Sequence, residues 1–247
     1  MRISAVCAVC VDEQIAKKEQ PRPTILEGAL DDSGFARVNC PHGHESITVF
    51  DSRRYHILAN SAARAYVDGY TNEVIAVMGT AVERAQEFYI KVSSRAKGLP
   101  ADSIKSAWAS ISAQSERQLG AFYFMYLLDN ESHLPTIRKH VELRNSVVHR
   151  GKIASDQECL LYATYSYDRI LTIERVLTER FADFAAQEAQ DEINQQIALI
   201  PAGTSHITLK PMLVQVDNQT KQVVGLASSF LDVAVGIVNA RRHGISL

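Results

Sequence analysis

The chain has 247 residues, of which 46% are hydrophobic and 22% are charged, and its formal net charge is -2. This composition supports one sizeable hydrophobic core with room for a small additional module. A protein that grips many phosphates of a long nucleic acid usually carries an excess of basic residues, so the charge balance excludes a broad nucleic-acid-binding surface. Any nucleic-acid contact is therefore expected to be local.

The amino-terminal ten residues are mildly apolar but too short for a secretory signal, and the acidic residues Asp12 and Glu13 follow them. No apolar run approaches the roughly 20 residues that a membrane-spanning helix needs. We therefore expect a soluble, cytoplasmic protein without a membrane partner. Three of the four cysteines lie within the first forty residues, which favours metal binding over a disulfide framework.

The first segment of the chain, residues 1–51, is rich in β-forming and turn-forming residues. Short apolar runs near 24–30, 35–39 and 45–50 predict three strands, and Asp-Asp-Ser-Gly at 31–34 predicts a turn between two of them. We expect these strands to form a small β-rich module.

Two pairs of potential metal ligands lie in this segment. Cys7 and Cys10 form a Cys-x-x-Cys pair, while Cys40 and His44 belong to Cys-Pro-His-Gly-His; the stretch between the pairs suits a β-hairpin. Thiolates and imidazole at these spacings suit tetrahedral zinc. The second pair resembles a knuckle of zinc-ribbon modules, which implies His44 as fourth ligand, with His42 as the alternative. Four protein ligands exclude water, so the zinc ion is expected to be structural, as a ~50-residue module needs.

From about residue 52 the sequence becomes helical. Apolar residues recur at three- and four-residue steps through 57–67 and again through 72–92, with Asp68-Gly69 between them, which predicts two amphipathic helices. A third helix is expected to begin near Asp102 and to end near Leu128.

The next predicted elements surround the most informative stretch of the sequence. Residues 136–150 are expected to form a short helix that ends at Gly151. A long helix is expected over 155–192, because Ser155 and Glu158 at its start have the spacing of a capping box.

The last segment, residues 201–247, begins with the helix-breaking sequence Pro-Ala-Gly. An extended piece is expected over 206–217 and a final helix over 222–242. The basic group Arg241-Arg242-His243 at its end complements the helix dipole, with contact to RNA as the alternative.

Within the short helix, Arg144, Asn145 and His149 form a combination suited to chemistry on RNA. Asn145 and His149 are four residues apart and share a helix face, and the long side chain of Arg144 can reach the same site. A histidine near its ordinary pKa of about 6.5 can activate a ribose 2′-hydroxyl or protonate a leaving oxygen. An arginine suits a phosphate that gains charge, and Asn145 can orient the imidazole or bind a phosphate oxygen. This pattern is suited to RNA cleavage without a metal ion.

The ten residues Glu-Leu-Arg-Asn-Ser-Val-Val-His-Arg-Gly at 142–151 resemble the signature of the HEPN superfamily. Members are compact helical bundles whose motifs commonly work in pairs across a dimer interface, and many are metal-independent ribonucleases in toxin–antitoxin, abortive-infection or related defence systems. The resemblance implies that Arg144 contacts the phosphate or the transition state, that Asn145 is its polar neighbour, and that His149 is the general acid or base.

An acidic residue from an earlier helix joins some sites of this family, which implies Glu83 as an accessory candidate. Glu83 and Glu87 lie one turn apart in the second predicted helix. The alternative is that these acids pair with neighbours on their own helix, such as Arg84 and Lys91.

The sequence therefore predicts a mainly α protein: a small β-rich zinc-ribbon-like module at 1–51, a HEPN-like helical bundle at 52–200, and a C-terminal extended segment with a helix that packs on the bundle at 201–247. The predicted function is that of a metal-independent RNA endonuclease that acts as a homodimer on RNA as its substrate. Its predicted role is that of a bacterial defence or toxin effector with an antitoxin or defence-system partner. The alternative is a non-catalytic HEPN protein that binds nucleotide or RNA, or an adaptor.

Overall fold

The structure is a computed structural model that describes residues 1–209, 214–216 and 223–242. It divides the chain into two compact units, each assembled from separate stretches of sequence. The sheet unit comprises Met1–Arg53 with the described residues of Ala189–Leu226 and Val235–Leu247. The helical unit comprises Arg54–Glu188 and Ala227–Ala234. The chain is mainly helical, as the sequence predicts.

The sheet unit is built on a small mixed sheet with one helix inserted after its first strand. Its elements are β1 (Arg2–Val6), α1 (Ala8–Ala16), β2 (Ile25–Leu30), β3 (Phe35–Asn39), β4 (Glu45–Phe50) and β5 (His206–Leu209). The strands follow the order β1-β2-β3-β4-β5, and each neighbouring pair is antiparallel except β4 and β5, which run parallel.

Strand β4 is buried along most of its length because neighbouring elements cover both of its faces. Ile47 and Val49 pack with Phe35 and Ile193 in the hydrophobic core of this unit. Successive side chains of a strand point to opposite faces, so Thr48, between Ile47 and Val49, points to the other face. There the hydroxyl of Thr48 accepts a hydrogen bond from the backbone N–H of Val6 (3.3 Å).

The three predicted strands are confirmed as β2, β3 and β4, but the sequence did not reveal β1 or α1. A short continuous apolar run is compatible with a strand and with a buried helix. The hydrophobic pattern of the first ten residues therefore does not distinguish between the two. Helix α1 also lacks a side-chain cap from its own N-cap residue, Cys7. Instead Ser46, distant in sequence, accepts a hydrogen bond from the N–H of Ala8 (3.1 Å).

The helical unit is organised around one long central helix. The helices of this part of the chain are α2 (Arg54–Val67), α3 (Thr71–Ala96), α4 (Ala101–Ile111), α5 (Ser115–Asn130), α6 (Arg138–Arg150), α7 (Asp156–Arg180) and α8 (Ala182–Ala198), the last of which continues into the sheet unit. Helix α3 contacts α2, α4, α5, α6 and α7, and its inward side chains from Val74 to Val92 are fully buried. The amphipathic pattern predicted over 72–92 is confirmed.

Two single helices predicted from the sequence are each broken in the structure, so these predictions are wrong in length. The helix expected from Asp102 to Leu128 is interrupted after α4. At this break the side-chain amide of Gln118 donates a hydrogen bond to the backbone carbonyl of Ser112 (2.6 Å). The helix expected over 155–192 is interrupted at Phe181, whose ring packs 6.3 Å from that of Tyr89. Both breaks depend on contacts between residues that sequence periodicity does not reveal.

The predicted ends of the helices around the motif are confirmed. Gly151 follows α6 with a positive φ of 70°, a conformation that glycine adopts without steric cost. Ser155 and Glu158 form the complete capping box at the start of α7.

The C-terminal prediction is confirmed in part. Residues 206–209 are extended in β5, whereas 210–213 and 217 lie outside the described residues. The helix predicted from residue 222 begins later, because β7 (Val223–Leu226) pairs with β6 (Val214–Val216), and α9 runs over Phe230–Arg242. The β-branched pair that opens β7 favours a strand over a helix.

Among the described helices, none combines the length and the apolar character that crossing a bilayer demands. The basic group at the end of α9 is described only through Arg242, and His243 lies outside the described residues.

Candidate functional site

Two groups of side chains carry chemistry in this molecule, one in each unit. The first is a cysteine–histidine cluster in the sheet unit. Cys7 ends the connection from β1 and Cys10 lies in the first turn of α1, whereas Cys40 and His44 lie in the turn between β3 and β4. The antiparallel strands β2 and β3 lie between the two pairs, as the predicted β-hairpin requires, whereas the first pair lies at the start of a helix that the sequence did not reveal.

The distances within this cluster suit a tetrahedral metal ion. The ligand atoms of Cys7, Cys10, Cys40 and His44 all lie within 4.8 Å of one another. The Sγ atoms of Cys10 and Cys40 are 3.8 Å apart, and the Sγ of Cys10 is 3.4 Å from the Nδ1 of His44. Zinc–sulfur bonds of about 2.3 Å in tetrahedral geometry separate two sulfur atoms by about 3.8 Å. These four residues lie close enough together to hold one metal ion.

The two histidines of the turn differ in their contacts. His44 directs Nδ1 at the thiols of Cys7 and Cys10, and its Nε2 lies 3.7 Å from a carboxylate oxygen of Glu13, which can orient the ring. His42 is exposed, and its Nδ1 lies 3.3 Å from the Sγ of Cys10. The structure therefore brings His44 into the cluster with all three cysteines, as predicted, and leaves His42 at its edge.

The backbone of the turn also favours a thiolate at Cys40. Burial opposes ionisation of this thiol, but hydrogen bonds from the backbone N–H groups of His44 and His42 outweigh it and lower the pKa of Cys40 to about 6. Burial and the neighbouring thiols of Cys7 and Cys40 raise the pKa of Cys10 to about 12. A bound cation would relieve the cost of ionising Cys10, because coordination deprotonates a thiol.

The second group lies in the helical unit, around a cavity of about 170 Å³ lined by residues of α3, α5, α6 and α7. Arg144 and Asn145 of the predicted motif both line it. The guanidinium of Arg144 donates to a carboxylate oxygen of Glu83 (3.4 Å) and to the amide oxygen of Asn145 (3.2 Å). The structure thus brings three of the four predicted catalytic candidates together.

Glycine at position 79 of α3 keeps this part of the cavity open. A Cβ atom at Gly79 would lie 3.1 Å from the hydroxyl of Tyr162 and 3.5 Å from the Cγ of Arg144. Burial, offset in part by Ser166 and Arg144, raises the pKa of Tyr162 to about 12, so this hydroxyl is a neutral hydrogen-bonding group at pH 7.

A second arginine at the cavity, Arg169 of α7, is buried with only neutral partners among the described residues. It donates to the backbone carbonyls of Leu134 (3.3 Å) and Pro135 (3.0 Å), and the side-chain amide of Gln86 accepts from it at 3.2 Å when its oxygen faces the guanidinium. Its guanidinium carbon also lies 5.4 Å from the centre of the Phe122 ring. A buried cation without a carboxylate partner is costly unless an anion approaches it.

His149 takes a different position from the other motif residues. It is exposed in the last turn of α6 and does not line the cavity that contains Arg144 and Asn145. Glu87, one turn after Glu83 on α3, pairs with Arg84 and with Lys91 (2.8 Å) and is not among the residues that line the cavity. Of the two acids considered from the sequence, only Glu83 contacts Arg144.

Sequence reasoning did not assign His140 of α6, or Tyr162 and Arg169 of α7, to this site. The only signal for His140 was its position four residues before Arg144, which puts both side chains on one face of a helix. The α7 residues gave no signal, because their approach to α6 depends on how the two helices pack.

No protein-family model, no curated protein and no solved structure matches this chain. Its function is therefore inferred from the chemistry of the two groups of side chains themselves.

Proposed function

We propose that this chain is a metal-independent RNA endonuclease of the HEPN type. The observation that carries the proposal is the position of Arg144 in a cavity that also contains Arg169, a buried cation without a carboxylate partner among the described residues. Such a cavity favours an anionic ligand, and the planar fork of a guanidinium matches the oxygens of a phosphodiester. Glu83 and Asn145 hold the fork of Arg144 in place.

In this proposal each motif residue has a separate role at the scissile phosphate. Arg144 stabilises the negative charge that develops on the phosphate oxygens in the transition state. Such electrostatic stabilisation is usually the largest single contribution to catalysis. Asn145 is its polar neighbour, and Glu83 orients the guanidinium. His149 exchanges the proton of a reacting oxygen as general acid or base.

The active form is proposed to be a homodimer, because one copy alone leaves His149 exposed outside the cavity. Ile137, which immediately precedes α6, and Val141 and Val148 within it form an apolar stripe that ends one residue before His149, and each of the three is more than 40% exposed. Their spacing of four and seven residues puts them on one face of the helix. A second copy that covers this stripe would bury apolar surface and enclose His149.

The cysteine–histidine cluster is proposed to hold one zinc ion with a structural role. Three thiolates and one imidazole nitrogen at tetrahedral separations are a ligand set typical of structural zinc, and four protein ligands leave no position for a reactive water. The sheet unit then contributes stability, and the proposed RNA chemistry uses no metal ion.

The biological role proposed for this activity is that of a bacterial defence or toxin effector, restrained by an antitoxin or defence-system partner. Its support is the resemblance of residues 142–151 to the HEPN signature. The small cavity and the net charge of -2 agree with local rather than extensive contact to RNA.

The proposal is tested by incubating the purified chain with RNA in buffer that contains EDTA. Cleavage is expected, and His149→Ala is expected to lose it while the circular dichroism spectrum stays unchanged. Undiminished cleavage by the folded His149→Ala protein would remove His149 from the mechanism.

A second candidate function, binding of nucleotide or RNA without cleavage, is favoured by the exposed position of His149 away from the cavity. This function predicts an affinity for RNA that falls in Arg144→Ala, with no turnover by the wild type. Cleavage in EDTA by the wild type would exclude it.

A further inference from the structure

We propose that His140 is a second catalytic histidine, which accepts the proton of the ribose 2′-hydroxyl in the cavity that holds Arg144. This role rests on the RNA cleavage proposed above and assigns the two proton transfers of that reaction to two different residues. His140 serves as base inside the cavity, and His149, enclosed in the dimer proposed above, serves as acid at the same phosphate.

The first support is the fixed position of the His140 ring. The side chain is only 8% exposed, lies stacked on the ring of Tyr165 with 4.2 Å between centroids and 9° between planes, and meets the edge of Tyr162 at 5.9 Å. A ring held between two aromatic rings has little rotational freedom, so its nitrogens keep a fixed direction.

The second support is that the imidazole of His140 has no hydrogen-bond partner in the protein. Within the described part of the chain, neither ring nitrogen donates to or accepts from another group, and neither is among the fully buried atoms that lack a partner, so both remain accessible at the cavity. An imidazole whose nitrogens are accessible and not engaged by the protein can form hydrogen bonds with a ligand in the cavity. A ribose hydroxyl is such a ligand.

The third support is the distance to the phosphate-binding group. His140 and Arg144 are separated by one turn of α6 and line the same cavity. Residues at this spacing have Cβ atoms about 6 Å apart. A phosphate that binds to Arg144 therefore brings the adjoining 2′-hydroxyl within reach of the imidazole.

The surroundings of His140 also keep its ring neutral before the reaction. Burial, assisted by the positive charge of Lys139, lowers the pKa of His140 below its ordinary value. The groups that line the cavity with it are the phenols of Tyr162 and Tyr165 on α7, the Glu83–Arg144 ion pair, and further out Arg169 and Glu116. A neutral imidazole at pH 7 can accept a proton.

The proposed step conserves atoms and charge. The 2′-oxygen attacks phosphorus as its proton passes to a nitrogen of His140, and the bond from phosphorus to the 5′-oxygen breaks. His149 gives a proton to that leaving oxygen. The products are a 2′,3′-cyclic phosphate and a 5′-hydroxyl, and no oxidant, reductant or metal ion is consumed.

The roles of base and acid are separated with two RNA substrates of the same sequence. One is unmodified, and in the other a sulfur atom replaces the bridging 5′-oxygen at the cleaved linkage, because a thiolate leaves without a proton. His140→Phe, which preserves the stacked ring, is expected to cleave both substrates at least about 100-fold more slowly than the wild type. His149→Ala is expected to be slow on the unmodified RNA and to recover on the sulfur substrate.

Two further variants and an affinity measurement distinguish a catalytic role of His140 from a structural one. His133→Phe changes an exposed histidine away from the cavity lining and is expected to leave the rate unchanged. RNA affinity of His140→Phe is expected to stay within about twofold of the wild type, since the phosphate still binds to Arg144. His140→Gln, which is close in size and uncharged, gives the same comparison if the phenylalanine variant does not fold.

Several results would overturn the assignment. A folded His140 variant that cleaves unmodified RNA at the wild-type rate excludes the role of base, and so does recovery of that variant on the sulfur substrate. A wild type that binds but never cleaves RNA overturns the proposed endonuclease itself, whereas cleavage that survives loss of His140 overturns only this residue's role.

Discussion

The cysteine–histidine cluster of the sheet unit and the cavity of the helical unit differ in how completely their polar groups are satisfied. In the cluster, four ligand atoms face one another within 4.8 Å, and the surrounding backbone hydrogen bonds fix the turn that presents them. In the cavity, the imidazole of His140 and the charge of Arg169 lack matching partners among the residues that the structure describes. The cluster is arranged to close around one ion, and the cavity is arranged to receive another molecule.

The cluster is therefore expected to contribute to the stability of the protein and the cavity to its reactivity. A closed set of four protein ligands stabilises the fold that brings them together, because the binding free energy of the metal becomes folding free energy. A buried cation without a carboxylate partner costs stability, and accessible groups that the protein does not engage remain available to a ligand. We therefore expect loss of the cluster to affect folding and loss of cavity groups to affect the rate of RNA cleavage.

The largest effect is expected from removing two metal ligands at once. Cys7→Ser combined with Cys40→Ser should lower the zinc content from about one per chain to none and unfold the sheet unit, because structural zinc contributes on the order of 10 kcal/mol. Elemental analysis and circular dichroism measure both changes. His42→Ala is the matched control and should retain zinc; zinc that persists in the double variant would refute the ligand set.

The next largest effect is expected at the guanidinium of the motif. Arg144→Ala should reduce RNA cleavage by about 100- to 1,000-fold, the usual cost of removing one group that stabilises transition-state charge. The rate is measured under single-turnover conditions.

Arg138→Ala is the control for this prediction, because Arg138 lies on the same helix but is exposed and pairs only with Glu142 (2.7 Å) among the described residues. Equal losses in the two arginine variants would mean that helix α6 contributes general charge rather than a specific phosphate contact.

A smaller effect is expected from filling the space beside Arg144. Gly79→Ala places a methyl group 3.1 Å from the hydroxyl of Tyr162, so we expect about a tenfold loss of cleavage from misplaced cavity groups. The preference of a helix for alanine over glycine, about 0.5–1 kcal/mol, offsets the cost of this close contact to stability.

Gly120→Ala provides the comparison, because a Cβ atom at Gly120 on α5 meets no other atom within 4 Å. It should gain the stability that a helix derives from alanine and keep full activity. If both alanine variants cleave RNA equally well, the space around Gly79 is not used by the substrate.

The smallest effect is expected at the capping box of α7. Ser155→Ala removes the hydrogen bond from the N–H of Glu158 and should lower the free energy of unfolding by about 1 kcal/mol, or about 2–4 °C in Tm. Ser110→Ala, at an exposed helical position, should cost nothing. Thermal unfolding compares the two, and equal Tm values would show that this cap does not stabilise the helix that holds Arg169.

The local features of this fold were predictable because they depend on neighbouring residues. The period of α3, the glycine after α6 and the capping box of α7 each follow from residues a few positions apart. The strand β1 and helix α1 were missed, because their apolar sequence has no distinguishing period and the contacts that fix them come from residues distant in sequence, in β2 and β4.

The candidate sites were predictable to the extent that their residues are close in sequence. Cys7, Cys10, Cys40 and His44 form two local pairs, and the structure brings the pairs together. The contact of Glu83 with Arg144 and the stacking of His140 on Tyr165 join different helices, so no spacing rule reveals them.

The most direct test of the division between the two regions is the rate of RNA cleavage by the wild type in EDTA, with the zinc content of the same sample measured. Cleavage at the same rate as in buffer without a chelator, leaving 2′,3′-cyclic phosphate ends, is the result predicted for chemistry carried by Arg144 and its cavity alone. Cleavage that requires an added divalent cation, or no cleavage in either buffer, would contradict the account.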